Sequence, residues 1–471
     1  MNNTYPSYID VNQKWVKQIP SHWEIKRLKA VFAMRKERND PVVTSNILSL
    51  TAKQGVVPYA EKEGTGGNKP KEDLTKYNIA HENDLLVNCM NVVSGAAGVS
   101  RYYGAISPVY YALYPHGDQN VWYFHHIFRL LPFQRSLIGL GKGILMHESD
   151  NGTLTSVRMR ISMDYLGSVV LPVPPREEQD QIVRFLDWKV SEINRLINIK
   201  RKEIARLEEL KKAVISHAVT RGLNPDVELK DSGLDWCSSL PVTWRISKIK
   251  HLFSIYSGAT PQSGNTAYWD GNVTWITPAD FKTKDKFVSK GAKSITKEGY
   301  KSCSTSMIPA GSIIFSKRAP VGTVAISTVD LCTNQGCLSC VPNQNVDAVF
   351  FYYLMSICTE EFERYAGGTT FKELSLTAFS NFLFPVPSYE EQLQIASYLD
   401  EKCKRIGELI SNKESQILTL QEFKTRLISD VVTGKIDVRG IAIPEYEYTA
   451  EEADTDFEAE AEDLDEGGEE E

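Results

Sequence analysis

From Arg176 to Val219 the chain runs without a proline or glycine, charged on most of its surface, with a narrow apolar stripe threaded through it. The stripe is Val183, Leu186, Val190, Ile193, Ile197, Ile204, Leu207 and Val214, alternating steps of three and four except for two seven-residue steps that contain Lys200 and Lys211. This spacing predicts a long helix with a coiled-coil seam. The pattern recurs 213 residues later as Ala396, Leu399, Cys403, Ile406, Ile410, Ile417, Leu420 and Leu427, with Lys413 and Lys424 in the same gaps. Two helices in one register bury such seams most economically against each other. Each starts after a Pro-rich boundary with Glu177-Glu178 or Glu390-Glu391 in its first turn, and each stops at a glycine, near Gly222 and Gly434. At about 1.5 Å per residue each spans roughly 66 Å.

A wider repeat surrounds the helices. Trp15, Ile19-Pro20 and Trp23 stand over Trp236, Leu240-Pro241 and Trp244 at a shift of 221, and the shift drifts to 224 at Gly98 and Gly322. The chain therefore reads as two diverged copies of a globular part of roughly 150 residues followed by a long helix. Short β-rich runs such as Val273–Thr277, Ser312–Ser316 and Thr323–Ser327, with helices expected at Val121–Leu131 and Asp347–Tyr365, predict an α+β domain with a strongly bent sheet. The expected domains are residues 1–171, a central helix 172–222, a second globular part 223–383, a distal helix 384–440 and an acidic disordered tail 441–471. Only the first helix is followed by a Trp-containing segment, so residues 10–23 are predicted to dock beside the end of the second helix and close a pseudo-two-fold, effectively circular molecule.

Charge changes this picture at one end. The net charge is −7, yet Glu445–Glu471 holds 15 Asp and Glu and no Lys or Arg, which leaves +8 on residues 1–444. A basic body admits a polyanionic partner. No run approaches 18 apolar residues and Met1–Pro20 has no apolar signal core, so a cytoplasmic location without membrane insertion is expected. The eight cysteines read as reduced thiols. No phosphate loop, HExxH, GxSxG or [ND]PP[YF] motif occurs, which argues against catalysis by this chain. Cys332-x4-Cys337-x2-Cys340, with Cys358 beyond, copies an iron–sulfur spacing. Its first-copy counterparts are Tyr110 and Leu113, residues of a core, so buried thiols are expected instead of a metal site.

The globular parts carry loops rich in side chains that bond bases and phosphates. In the second part the candidates are Gln262, Thr277, Lys317, Arg318, Asn334, Gln335, Thr369, Thr370 and Lys372. In the first they are Lys69, Lys71, Asn88, Asn91, Arg101, Tyr102 and Lys142.

Ser257-Gly258-Ala259-Thr260-Pro261, Tyr268-Trp269-Asp270-Gly271, Trp275-Ile276-Thr277, Arg318-Ala319-Pro320-Val321-Gly322, Asn334-Gln335-Gly336 and Gly367-Gly368-Thr369-Thr370 resemble the target recognition domain of the specificity subunit of type I restriction-modification systems. The Pro-x-Pro-x-x-Glu-Glu-Gln entries at 172–179 and 385–392 resemble the other signature of that family. The resemblance covers about residues 15–440; the first globular part lacks the Asn-Gln-Gly and Arg-Ala-Pro motifs, and the acidic tail lies outside it. It implies an antiparallel coiled coil joining two pseudo-symmetric DNA target recognition domains. Each reads half of a split, asymmetric site on double-stranded DNA, roughly 34 Å apart on successive major grooves. It also implies a non-catalytic chain without cofactors. Two modification (methyltransferase) subunits would supply S-adenosylmethionine and flip an adenine for methylation, and restriction/translocase subunits would use ATP and Mg. Arg195, Arg206, Lys402 and Arg405 on the helices are the candidate partner contacts. Three other readings stay open: the recognition subunit of a type IIB-like bipartite-site system, a coiled-coil scaffold that binds proteins, and an iron–sulfur enzyme.

Overall fold

The computed structural model describes residues 4–51, 55–62, 70–143, 146–148, 154–156, 159–282, 285–367 and 372–450. Two compact units divide between Arg201 and Lys202 and again between Glu414 and Ser415, so each long helix contributes to both. The expected boundaries at the ends of the helices thus differ from the packing units, because each half-helix is buried with the globular part beside it.

The first unit is built on four strands, Phe32–Met34 (β1), Leu85–Asn88 (β2), Ala97–Val99 (β3) and Tyr110–Pro115 (β4), in the order β1-β4-β2-β3. Helices Val121–Phe128 (α1) and the first part of Arg176–Arg221 (α2) follow. The second unit repeats it with Phe253–Ser257 (β5), Phe287–Val288 (β6), Ile313–Ser316 (β7), Val324–Ser327 (β8) and Cys337–Pro342 (β9), ordered β5-β9-β7-β8-β6, then Ala348–Ile357 (α3) and Tyr389–Val432 (α4). Tyr110 lies opposite Asn88 as Cys337 lies opposite Ser316, and Leu86 opposite Gly98 as Ile314 lies opposite Ala325. This register corrects the sequence pairing of Gly98 with Gly322. Gly98 stands over Ala325, and the counterpart of Gly322 is Gly95; both of these glycines take positive φ, +78° and +91°, which only glycine adopts readily.

The strands are apolar on both faces because each sheet separates two cores. Leu85 and Val87 face the main core of the first unit while Leu86 faces a smaller one with Leu48, Val56 and Ala112; Ile313 and Phe315 face one way and Ile314 the other in the second unit. In Leu85–Val87 and Ile313–Phe315, period-two alternation is therefore between two apolar faces. The single helices expected at 121–131 and 347–365 are each two, broken at Arg129–Leu130 and at Cys358.

The repeated Pro-x-Pro-x-x-Glu-Glu-Gln entry has a structural role. Gln179 Oε1 accepts the Asn120 backbone N–H at 2.8 Å while its amide donates to Pro174 O at 2.8 Å; Gln392 does the same for Asp347 at 2.9 Å and Pro387 at 3.1 Å. Asn120 and Asp347 in turn cap α1 and α3. The preceding glutamate accepts an indole N–H at 3.0 Å in both copies, Trp23 on Glu178 and Trp244 on Glu391. The same tryptophans meet the glycines that end the helices. A methyl added at Gly222 would stand 3.5 Å from Trp244, and one at Gly434 would stand 3.0 Å from Trp23 and 2.3 Å from Pro20. The N-terminal hairpin, Tyr8–Asp10 with Gln18–Pro20, thereby sits at the end of α4 in the first unit.

Within each unit the two long helices run antiparallel. In the first, Gln181 reaches Val438 and Asn194 reaches Lys424; in the second, Glu203 meets Lys413 at 2.7 Å while Lys211 acts on Cys403. The seam is buried at Leu186, Ile193, Ile197, Leu399, Cys403 and Leu427, and half-buried at Ile204, Leu207, Ile410 and Ile417. The gap lysines Lys413 and Lys424 each take a polar partner on the opposite helix.

The tail corrects the expectation of disorder from residue 441. Residues 441–450 form an extended strap along α2. Gln181 donates to Val438 O and Ile441 O, Ser191 to Glu447 O, Asn194 to Thr449 O and Asn198 to Ala450 O, all at 2.8–3.1 Å. Ile441 and Ile443 pack on the core, so apolar residues among the acids hold this part down.

One pH effect distinguishes the units. His125 and His126 on α1 correspond to Tyr352 and Tyr353 on α3, and burial depresses the two imidazoles to about 3 and about 4. A histidine held below its unfolded value near 6.5 binds protons more readily when unfolded, so its contribution to stability is complete above pH 6.5 and falls as pH drops toward 4. Each imidazole costs up to about 1.4 kcal/mol per pH unit in that window. Thermal melts between pH 7 and pH 5 should show the first unit losing stability faster than the second. H125F/H126F should flatten that difference; equal pH slopes in both units would count against it.

Candidate nucleic-acid interface

Five segments of the second unit meet where β5 and β7 end and β9 begins, tied by backbone hydrogen bonds. Ala259 N–H donates to Thr333 O, Asn334 N–H to Ile276 O, Lys317 N–H to Gly336 O and Leu374 N–H to Lys317 O, at 2.8–3.0 Å. The Trp275 indole adds a 3.0 Å bond to Ala259 O, and Thr260 bonds Gln335. The close approach explains two glycines. A Cβ at Gly258 would lie 2.1 Å from Asn334 O and 2.3 Å from Thr333 O, and one at Gly336 would lie 3.0 Å from Pro278.

Most of the candidate side chains of this unit converge here. Lys317 and Arg318 share Glu373, at 2.8 and 2.9 Å. The Lys317 ammonium, then the Arg318 guanidinium, hold the Glu373 carboxyl below the usual range against partial burial. The Lys317 side chain is 15% exposed and that of Arg318 47%, so the lysine anchors the glutamate and the arginine presents its remaining donors to solvent. Gln262, Gln335 and Lys372 are exposed. Thr277 and Asn334 are not free readers. Thr277 Oγ1 bonds Asp280 in a capping box, and Asn334 Oδ1 accepts the Gly336 N–H at 2.9 Å. Their side chains shape the loops. Thr369 and Thr370 lie outside the described residues. Sequence reading placed Gly258 in a motif without giving it a role and missed Glu373; the Lys317-Arg318 pair, which needs a counter-charge once half-buried, was the available signal for the latter.

In the first unit the candidates are less gathered. Asn88 ends β2 and its Oδ1 accepts the Met90 N–H at 3.0 Å, while Asn91 and Lys71 are exposed. Arg101 stacks its guanidinium 5.3 Å over the Trp122 ring. The Tyr102 ring packs on the smaller core, so this residue is a support for the surface. Lys69 and the side chain of Lys142 lie outside the described residues.

On the helices Arg195 is exposed in the first unit. In the second, Arg405 pairs with Glu401, Lys402 covers the Tyr398 ring at 5.5 Å, and Arg206 lines a hollow of about 340 Å³ with Leu207, Leu210, Leu409 and Lys413. Leu210 and Leu409 are 50% and 52% exposed, which marks an apolar patch on the paired helices.

The cysteines of the iron–sulfur-like spacing are dispersed by the alternation of the strand. Cys340 joins the main core of its unit, Cys337 the smaller one and Cys332 a third with Trp275 and Ile295. Burial pushes the Cys332 thiol up to about 12 and raises Cys337, Cys340 and Cys358 as well. These are packing residues. Among the described residues no helix is long and apolar enough to cross a membrane.

The model of the type I restriction modification DNA specificity domain matches the chain twice, over residues 20–209 and 241–419. The chain belongs to this family. Its two specificity domains coincide with the two copies of the fold, each match running from the tryptophan segment into a long helix. The type I restriction enzyme MjaIX specificity subunit of Methanocaldococcus jannaschii is 33% identical over 44% of this chain, a stretch that spans about half of that relative. The putative MjaX specificity subunit of the same organism is 23% identical over 90% of this chain and 96% of its own length. Among solved structures, one described as the structural basis of complex assembly and conformational transition of the type I R-M system matches at TM-score 0.68 and 16% identity. It covers 89% of this chain and 99% of the other. The HsdS subunit from Thermoanaerobacter tengcongensis matches at TM-score 0.51 and 16% identity, over 89% and 98%. These likenesses establish the fold. The chain is a DNA sequence-recognition protein of the type I class.

Proposed function

We propose that this chain reads a split, asymmetric sequence in double-stranded DNA, one half with each unit, and directs adenine methylation and ATP-dependent cleavage by partner subunits. The observation that carries this reading is the clasp of Ala259, Asn334, Lys317 and Glu373, two of whose backbone bonds recur in the first unit, where Cys89 N–H donates to Val109 O and Ile161 N–H to Cys89 O as Lys317 N–H does to Gly336 O and Leu374 N–H to Lys317 O. A scaffold has no need for five loops fixed to one another by their backbones, whereas base reading requires donors and acceptors held in a fixed frame. Arg318, Gln335, Gln262 and Lys372 supply the donors in the second unit; Asn91 and Lys71 supply them in the first. Thr277 and Asn334 hold the frame. The partners are two modification subunits, seated along the helices at exposed apolar and basic positions such as Leu210, Leu409 and Arg206, and restriction/translocase subunits. S-adenosylmethionine, ATP and Mg belong to those partners in this reading, and the chain itself does no bond chemistry.

The test is reconstitution with the modification subunit followed by selection from a random duplex library. A bipartite motif with a fixed spacer is the expected result, enriched at least about a thousandfold over random duplex. Binding with no sequence preference would defeat the reading.

A further inference from the structure

The Pro-x-Pro-x-x-Glu-Glu-Gln entry is filled by other parts of the chain in the first unit and stands open in the second. In the first, Glu178 accepts the Tyr5 hydroxyl, His22 Nε2 at 2.7 Å and Trp23 Nε1 at 3.0 Å, and the Arg439 guanidinium lies 4.8 Å over the Tyr5 ring. Gln181, three residues on, donates to the main-chain carbonyls of Val438 and Ile441 at 3.0 and 2.8 Å. Two segments thus meet on one glutamate and one glutamine. In the second unit the same motif positions are Glu391 and Gln394. Trp244 bonds Glu391 Oε2 as Trp23 bonds Glu178, but the 221-residue shift puts Asp226 and Thr243 at the positions of Tyr5 and His22. Both are exposed, and neither bonds Glu391 among the described contacts. Glu391 Oε1 and the Gln394 amide have no hydrogen-bond partner among the described residues, and both side chains line a hollow of about 520 Å³ with Glu390, Leu223, Asn224 and Ser388.

We propose that this hollow seats an extended segment of one modification subunit, which places a tyrosine hydroxyl on Glu391 Oε1, main-chain carbonyls on the Gln394 amide and a cation beside Glu390. This rests on the partners proposed above. The first unit shows the fit, because there the same glutamate and glutamine hold a tyrosine hydroxyl and main-chain carbonyls, with a guanidinium close by, all supplied by the chain itself. The second copy has no terminus to fold in, since its chain runs on unbroken from Gly222 into the strand Leu229–Leu234. Charge fixes the class of occupant. Glu390 and Glu391 repel the phosphates of a duplex and attract a cation, whereas an extended peptide brings both the donor and the acceptors that the hollow matches. A hydroxyl on a carboxylate is a charge-assisted bond, among the stronger contacts a partner can make. Leu223, 41% exposed at the rim, gives the tyrosine ring an apolar surface. The hollow also lies on the first turns of α4, so a segment seated in it continues the partner's course along the helices.

The experiment titrates purified modification subunit onto the intact chain and two variants. E391Q/Q394A removes the carboxylate and the free amide and leaves the new glutamine carbonyl as an acceptor for Trp244. Leu223→Trp fills the hollow and touches no bond of the motif. Each should weaken one of the two bound modification subunits by about tenfold or more, the loss of one charge-assisted bond, and leave the other unchanged. The urea midpoint of the second unit should stay at its wild-type value; if that of E391Q/Q394A falls, Leu223→Trp and the cross-link decide. With p-benzoylphenylalanine replacing Asn224, illumination should join the chain to the modification subunit, and the joined peptide should carry a tyrosine with an arginine or lysine within a few residues. Unchanged affinity for both subunits in either variant, a cross-link only to a second copy of this chain, or a joined peptide without tyrosine would overturn the proposal. If the intact chain binds no modification subunit, the function proposed above fails first; if it binds two and the variants bind them equally well, only the seat in this hollow fails.

Discussion

Replacing Gly258 with alanine should abolish discrimination at one half of the target and leave the other half intact. The added methyl would stand 2.1 Å from Asn334 O, 2.3 Å from Thr333 O and 2.4 Å from Thr333 Oγ1. Two of these atoms are backbone, so no rotamer relieves the contact, and the loop of residues 257–262 has to leave Asn334-Gln335-Gly336. The Ala259 and Trp275 bonds of the clasp break with it. If each base contact that depends on the clasp is worth about 1–3 kcal/mol, losing two or more lowers specific binding by about a hundredfold, with phosphate-driven binding to random duplex nearly unchanged. G264A is the control, because a methyl there meets nothing within 4 Å. Selection from a random library reads both halves at once. A G258A complex that still selects both halves, or one that loses them together, contradicts the division of labour between the units.

The long helices were legible because their seams recur at 3.5-residue spacing and because proline and glycine punctuate both ends, signals that depend on local chemistry alone. The β-sheets were harder to place. Leu85–Asn88 and Ile313–Ser316 are buried on both faces, which removes the alternation by which a strand is usually recognised, and Gly95 and Gly98 lie so close in sequence that only hydrogen-bond register separates the counterpart of Gly322 from its neighbour. The second candidate surface was largely visible in its motifs. Its internal economy was not. Thr277 and Asn334 are of the right type to read bases but spend their side-chain bonds on Asp280 and Gly336, and Lys317 on Glu373; nothing in the order of residues says that a polar atom faces inward. The strap had the opposite history. Acidic composition pointed to disorder through to the end, yet Ile441 and Ile443 and the amide ladder on α2 hold ten residues in place, because a few apolar contacts and satisfied carbonyls outweigh net charge over so short a stretch.

Removing the Glu178 carboxylate should unfold the first unit at much lower denaturant than removing Glu391 does the second, although the two residues occupy the same motif position. Glu178 is 5% exposed and accepts three side-chain donors, Trp23 Nε1 at 3.0 Å, His22 Nε2 at 2.7 Å and the Tyr5 hydroxyl. Among the described contacts Glu391 accepts one side-chain donor, Trp244 Nε1, and borders an open depression with Leu223, Asn224 and Ser388. The extra partners come from the N-terminal segment, which enters the first unit where the second has continuous chain. Tyr5 itself is sandwiched, with the Arg439 guanidinium 4.8 Å over its ring, so one carboxylate ties the N-terminal residues to the segment beyond α4 and to the start of α2. E178A leaves buried donors unpaired and should cost about 3–5 kcal/mol. E391A strands one indole N–H beside solvent-accessible space and should cost about 1–2 kcal/mol. Urea unfolding followed by tryptophan fluorescence separates the two, and Y5F, which deletes one donor and keeps the packing, should recover most of the wild-type midpoint. Equal losses for E178A and E391A would mean that the N-terminal segment adds nothing to the closure it makes.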